Sequence, residues 1–370
     1  MSTSPVLALP FAGEPLVLSA ARELAACLKS EAPVTKAVRN AVLNAHFGGS
    51  DADGRWSVRD AHAALELAQV LWLREQPELT LASNPAAALT RFDWLEAQFP
   101  RQSVRSEEQI ELQQFATPPR ISWLAGRACA LVPGELVLEP SAGTGMLALW
   151  ADKAGANLVL NEISALRREC LEGVFLAARV TGHDGELIDE LLDPAQRPSV
   201  VLMNPPYSHG LERGHDGRTG ARHLRSAWNR LAPGGRLVAI MPEWFDLAGF
   251  LKSAGGQVAL RLDVAIERGF VAHGTSITTR LLVIDKTQGN TDGIVARNAE
   301  FGELCKLIDS LPARSARVAT QVLALRPVRA LPLLNPAARP LPSARKPASA
   351  TMAVQPVAFT SLDTAAPTPE

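Results

Sequence analysis

Leu136-Val137-Leu138-Glu139-Pro140-Ser141-Ala142-Gly143-Thr144-Gly145-Met146-Leu147-Ala148 runs from an apolar strand through a glycine-rich turn into an apolar helical start. Gly143 and Gly145 let the backbone approach a ligand closely beside a helix N-terminus. The acidic Glu139 at the strand end disfavours a diphosphate and favours a ligand with a positive group. A second strand, residues 157–161, runs into Glu162, where dinucleotide folds keep the carboxylate that holds a ribose diol. Glu162 also reads as an acid at a helix N-terminus, because residue 164 opens a helical stretch. Strands alternate with helices over residues 109–290, the pattern of a parallel sheet in an α/β fold.

The apolar run 200–203 reads as a further buried strand, and Asn204-Pro205-Pro206-Tyr207 follows it. Open α/β sheets form their ligand crevices just beyond the carboxyl ends of such strands. Two prolines hold φ near −65° and remove two N–H donors, so the chain leaves the strand stiffly with its carbonyls available. An Asn oxygen and a neighbouring carbonyl can accept both hydrogens of a planar amino group, while a Tyr ring stacks on the flat system bearing it. Read without its context, the same tetrapeptide is ordinary Pro-Pro loop punctuation.

In chain order, Glu139 to Gly145, Glu162, Asp184 and Asn204 to Tyr207 resemble the cofactor and catalytic motifs of class I S-adenosylmethionine-dependent amino-methyltransferases. The Asn-Pro-Pro-Tyr variant resembles that of the N6-adenine DNA methyltransferases. Gln114-Phe115-Ala116-Thr117-Pro118-Pro119 is similar to the segment that closes over the methionine end of their cofactor. Its place ahead of the glycine-rich turn matches the group in which cofactor motifs precede catalytic ones. Residues 18–286 also resemble the methyltransferase portion of bacterial strawberry-notch-like proteins, which accompany plasmids and other mobile elements. No counterpart of their large helicase region is legible here.

The resemblance implies a Rossmann-like class I methyltransferase sheet whose last strand is antiparallel and lies between its neighbours. It implies S-adenosylmethionine as cofactor, held by Phe115, Thr117 and Pro118, by Glu139, Ser141, Ala142, Gly143 and Gly145, and by Glu162 and Ile163. Asp184 would accept from the cofactor's adenine amino group, although beside Gly185 it also reads as a turn or capping residue. The implied catalytic group is Asn204, Pro205, Pro206 and Tyr207. Asn204 and the Pro205 carbonyl would hold the amino hydrogens of the target, and Tyr207 would stack on an extruded base. The substrate so implied is the exocyclic nitrogen of adenine in DNA. Alternatives are an RNA base, a protein glutamine amide, or an inactive cofactor-binding module working with a helicase or another plasmid-encoded partner.

Around this centre the chain has 370 residues, 47% hydrophobic and 20% charged, enough to bury a sizeable core. A net charge of −1 argues against a uniformly basic nucleic-acid clamp. Positive charge gathers instead after Tyr207, where Arg213, Arg218, Arg222 and Arg225 outnumber two acids. These arginines read as phosphate contacts or, equally, as a solvated loop and helix face. The neighbouring histidines are irregularly spaced, and the Asp51-Ala52-Asp53-Gly54 loop lacks the ligand ladder of a calcium site, so no metal is expected. Cys27, Cys129, Cys170 and Cys305 are widely separated, which fits reduced thiols and a cytoplasmic setting. No apolar run reaches membrane-spanning length.

Residues 1–108 form a helical N-terminal region, with helices expected at 19–28, 35–47, 57–74 and 85–98, that packs on the catalytic domain or recognises a partner. Within the domain at 109–290, helices are expected at 146–154, 164–179, 220–231 and 243–253. Residues 291–310 read as a short helical extension, and 311–370 as a largely disordered tail rich in Ala, Pro and Arg. No target-recognition domain is legible after the last strand.

Overall fold

The computed structural model describes residues 13–100, 116–207, 209–210, 214–267, 269–270 and 277–314. Four helices lead: α1 (Leu16–Lys29), α2 (Lys36–Phe47), α3 (Val58–Arg74) and α4 (Pro85–Ala97). Their starts have local causes. The Thr35 hydroxyl accepts from Val38 N at α2, Ser57 and Asp60 close a capping box at α3, and the Asn84 side chain caps α4 with Pro85 in its first turn. Gly48 ends α2 at φ 70, a conformation that L side chains rarely adopt.

Next come α5 (Pro119–Ala128), β1 (Leu136–Glu139), α6 (Met146–Lys153), β2 (Asn157–Asn161), α7 (Ala165–Val174) and β3 (Arg179–Thr181). A 3₁₀ turn at Gly185–Leu187 leads into α8 (Ile188–Leu191), followed by β4 (Val200–Met203) and the short pair β5 (His209–Gly210) and β6 (Gly214–His215). The chain continues through α9 (Thr219–Arg230), β7 (Arg236–Pro242), α10 (Leu247–Ala254), β8 (Ala259–Ile266), β9 (Thr279–Asp285), β10 (Ile294–Ala296) and α11 (Phe301–Asp309).

Eight strands form one sheet in the order β10-β8-β9-β7-β4-β1-β2-β3. All its pairings are parallel except those of β9, which is antiparallel to both β7 and β8. This strand order, with the reversed strand between its neighbours, agrees with the Rossmann-like sheet that the resemblance implies. Strand residues alternate between two buried clusters, Val200 and Leu202 facing one and Val201 and Met203 the other. Helices α8 to α10 cover the second face. The first face shares its core with α1 to α7 and α11. Phe92 of α4 meets Trp123 of α5 and Trp150 of α6 at ring-centroid distances of 6.1 and 6.0 Å. The N-terminal helices therefore pack on the sheet domain.

Local differences from the sequence reading occur at two helix ends, each with a physical cause, and at the sheet edge. Helix α7 stops at Val174, short of the expected residue 179, because Phe175 leaves helical geometry and its ring is buried at 1% exposure. Helix α10 begins at Leu247, not at residue 243, because the Asp246 carboxylate accepts from Gly249 N at 2.9 Å and caps it there. Within residues 291–310 a strand, β10, joins the sheet edge beside β8 ahead of the helix. Helix α5 was not anticipated, although Pro119 in its first turn is a recognised start signal. The tail from residue 315 lies outside the described residues. No helix among the described residues is long and apolar enough to cross a membrane.

Across β7 and β9, Arg236 and Asp285 stand directly opposite each other at 1% and 2% side-chain exposure. Asp285 accepts from Arg236 Nε at 2.7 Å, from Arg236 Nη2 at 3.1 Å and from Arg261 Nε at 2.8 Å. Removing one partner of such a pair leaves a buried charge without compensation. Asp285→Ala is therefore expected to lower unfolding stability by about 3–5 kcal/mol, as read by denaturant titration. A loss below about 1 kcal/mol, the surface-pair range, would contradict the expectation.

Candidate functional site

The strand order reverses at β1, which lies between β4 and β2, and the loops leaving the carboxyl ends of β1 and β4 meet there. A narrow cleft opens between them, with about 40 Å³ of space open to a water-sized molecule. Its walls include Glu139 at the end of β1, Ser141, Ala142, Gly143 and Thr144 from the first loop, Asn204 from the second, Glu162 after β2, and Ala116 and Thr117 ahead of α5.

The glycine-rich turn is shaped by two positive-φ residues. Gly143 has φ 55, and nothing lies within 4 Å of where a Cβ would stand, so this face of the turn is open. Gly145 has φ 89, and a Cβ there would sit 2.4 Å from Phe175 Cε2. The first glycine leaves room in front of the backbone, whereas the second is demanded by packing behind it. Ala142 N donates to Asn161 O at 2.9 Å, which ties the turn to β2.

Glu162 accepts from Gly143 N at 2.8 Å and from Ser164 N at 2.9 Å. The carboxylate thus faces the cleft and also braces the entry to α7, combining both positions read from sequence. Glu139 is 2% exposed, and its Oε2 has no hydrogen-bond partner among the described residues. Burial pushes its carboxyl well above the usual range, and the nearby Glu162 adds to the effect. The Ser141 hydroxyl lies 3.5 Å from His223 Nδ1. Burial holds His223 at a pKa of about 4, so it stands neutral behind the turn at pH 7.

On the second loop, Asn204 Nδ2 donates to Thr117 Oγ1 at 3.0 Å, and Tyr207 OH donates to Asn204 Oδ1 at 2.8 Å. The two bonds orient the amide from both ends. Pro205 and Pro206 are buried, as is Pro118 at the start of α5. The Tyr207 ring differs from the stacking platform expected of it. It is 2% exposed, with burial raising its pKa, and its hydroxyl is engaged with Asn204. The solvent-facing ring beside it is Trp244, 53% exposed on the turn after β7 and edge-on to Tyr207 at 6.5 Å between centroids.

Asp184 accepts from Glu186 N at 2.9 Å and caps the 3₁₀ turn, the local alternative read for it, and it does not line the cleft. Ile163 is half-buried beside the cleft without lining it, and its carbonyl accepts from Arg168. Phe115 and Arg213 lie outside the described residues. Of the remaining arginines, Arg222 is held by Glu186 at 2.6 and 2.8 Å and by Asp216 at 2.8 Å. Arg225 lies over the Phe250 ring at 4.5 Å and bonds Ser253. Both are partly exposed and engaged by other groups of the protein, because Glu186 and Phe250 come beside α9. Arg218 is exposed.

Two charged cleft residues escaped the sequence reading. Arg167 of α7 lines the cleft at 8% exposure. Glu66 of α3 lines it at 4% exposure, and its Oε2 accepts from Thr144 Oγ1 at 3.3 Å. A signal for Glu66 was present. His62, Glu66 and Gln69 are spaced four and three apart, a polar line on a helix already apolar over a wide arc. Together the walls hold three carboxylates and one guanidinium, a setting for a ligand with positive charge.

No family model matches the chain. Ribosomal RNA small subunit methyltransferase C of Chromohalobacter salexigens is 28% identical over 130 residues, which are 35% of this chain and 38% of that protein. The chain thus spans 38% of the length of the curated relative it matches. Among solved structures, TrmN from Thermus thermophilus is 24% identical with a TM-score of 0.34, covering 45% of this chain and 48% of that one. A putative class I S-adenosylmethionine-dependent methyltransferase from Listeria monocytogenes is 13% identical with a TM-score of 0.46, covering 77% and 93%. The methyltransferase subunit of a type I restriction-modification system from Streptococcus thermophilus is 14% identical with a TM-score of 0.40, covering 76% and 78%.

Proposed function

We propose that the chain transfers a methyl group from S-adenosylmethionine to the exocyclic amino nitrogen of a nucleobase, with adenine in DNA as the first substrate reading. The observation that carries the proposal is the cleft itself. The open face of Gly143, the unpartnered carboxylate oxygen of Glu139 and the oriented amide of Asn204 line one cavity where the strand order reverses. The cofactor fits these residues on two counts. A buried carboxylate with one oxygen left without a partner calls for a donor or a cation, and the open glycine leaves room for close approach.

When bound, the cofactor supplies an electrophilic methyl group on a positively charged sulfur. Glu139 and Glu162 would hold its positive and hydroxyl-bearing parts, Gly143 would allow the approach, and Thr117 would close the far side. An aromatic amino group is a weak nucleophile because its lone pair is delocalised into the ring. Asn204 Oδ1 and the Pro205 carbonyl would accept its two hydrogens and favour the pyramidal nitrogen from which the new N–C bond forms. The N–C bond would replace the methyl–sulfur bond, leaving a neutral thioether, and the nitrogen would release one proton to solvent. Tyr207 orients Asn204 through its hydroxyl, and Trp244 offers the exposed face on which a base can stack. Positioning contributes most of the rate in such a site.

An RNA base is the second reading, favoured by one observation: the 28% identical relative is named for methylating small-subunit ribosomal RNA. The narrower kinship with strawberry-notch-like proteins belongs to the same proposal, supported by the motif order from residue 139 to 207.

Calorimetric titration with S-adenosylmethionine tests the cofactor. The positive ligand favours ionised Glu139, whose carboxyl is held well above its usual range without it. Binding is therefore expected to release protons, and affinity to rise with pH until the carboxyl ionises unaided. Heats that do not depend on the buffer's ionisation enthalpy would remove Glu139 from the cation contact. Radiolabelled methyl transfer to DNA, RNA and protein separates the substrates. Binding without transfer to any of them would leave only the inactive module.

A further inference from the structure

We propose that Glu66, delivered by helix α3 from outside the sheet domain, is a third carboxylate of the ligand site and recognises the cationic amino-acid end of the cofactor. This rests on the reading of the cleft as an S-adenosylmethionine site. It makes part of the N-terminal helical region a wall of that site.

Three observations carry the inference. Glu66 lines the same cleft as Glu139, Glu162 and Asn204 while only 4% exposed. Its Oε2 accepts from Thr144 Oγ1 at 3.3 Å, which sets the carboxylate on the glycine-rich turn across 78 residues of sequence. Independently, Glu139 Oε2 is buried in that cleft without a hydrogen-bond partner among the described residues. Buried carboxylates are costly unless a positive charge or donors meet them. Three of them share the cavity with one guanidinium, that of Arg167.

Adenosine is neutral and offers no charge to match. The positive centres of S-adenosylmethionine, its sulfonium and its α-ammonium, both belong to the methionine half. A third carboxylate is therefore expected to distinguish the complete cofactor from its neutral nucleoside part. An ammonium hydrogen-bonded to it in a nearly dry site makes the stronger, charge-assisted kind of contact.

The test is calorimetric titration of the full chain with two probes, S-adenosylmethionine and the neutral 5′-methylthioadenosine. Glu66→Gln keeps the shape and an acceptor for Thr144 but removes the charge. It is expected to weaken S-adenosylmethionine by about ten- to a hundredfold while methylthioadenosine stays within about twofold. Equal weakening of both probes would assign Glu66 a structural part and overturn the proposal, as would unchanged S-adenosylmethionine affinity. Should Glu66→Gln melt too low to titrate, Glu66→Asp keeps the charge and withdraws it by one methylene. Selective loss of S-adenosylmethionine in that variant supports the proposal, and parallel loss overturns it. If wild type binds neither probe, the cofactor reading fails and this inference with it. If wild type binds both and the variants do not discriminate, only this inference fails.

Discussion

Asn204→Ala is expected to leave S-adenosylmethionine affinity within about twofold of wild type and to lower the single-turnover rate of methyl transfer by about 10²–10³-fold, the range seen when one preorganised polar contact to a reacting group is removed. The asymmetry follows from the geometry. Asn204 Nδ2 is bound to Thr117 and Oδ1 receives the Tyr207 hydroxyl, while the glycine-rich turn and Glu162 keep their own bonds to each other. Truncating the amide therefore empties the target side of the cleft and leaves the bond between the glycine-rich turn and Glu162 in place, Thr117 losing one donor. Tyr207→Phe makes the finer comparison. The ring stays buried but the hydroxyl that steers the amide is lost, so a fall of about tenfold in rate is expected with substrate affinity little changed. Trp244→Ala, by contrast, should raise the apparent Michaelis constant for the nucleic acid more than it lowers the rate. Wild-type transfer by Asn204→Ala would end the catalytic reading of this loop.

Gly145→Val and Gly143→Ala are expected to fail in different ways. At position 145 the first added carbon would meet Phe175 Cε2 at 2.4 Å and Leu171 Cδ2 at 3.0 Å, on a backbone at φ 89. Overpacking and backbone strain together should cost about 3 kcal/mol or more. The variant is expected to melt markedly lower and to lose binding as a consequence. At position 143 the same methyl meets nothing, so the cost is the roughly 1–2 kcal/mol of holding Ala at φ 55. Its methyl nevertheless occupies the space left for the ligand, and affinity should drop by about tenfold or more with the fold retained. Thermal melting beside calorimetry separates the two effects. A Gly143→Ala chain that binds like wild type would mean that no ligand approaches the turn there.

Much of the fold was legible because its signals are local. The strand-turn-helix run at 136–148 and the capping box at Ser57 and Asp60 each lie within a window of a few residues, where backbone propensity and alternation act directly. The antiparallel strand between its neighbours came from the resemblance, and the register of β9 against β7 and β8 agrees with it. The end of α7 was missed because a long-range contact decided it. Phe175 gains more from burial beneath Gly145 than from another helical turn, and periodicity carries no record of that partner.

The sequence by itself determined that two loops, one rich in glycine and one holding Asn204, leave neighbouring parts of a parallel sheet. Strand ends, glycine φ and proline stiffness are properties of the chain within a few residues. Only the tertiary structure decided which side chains each loop meets. It set Glu66 against Thr144, turned the Tyr207 ring inward so that its hydroxyl steers Asn204, and exposed Trp244 in its place. It also tied Arg222 to Glu186, 36 residues away, and so gave a partly exposed charge an acidic partner within the protein. These outcomes rest on desolvation and packing between segments distant in sequence. The energy of a buried charge or ring depends on its partner, and the partner is known only once the sheet has brought the segments together.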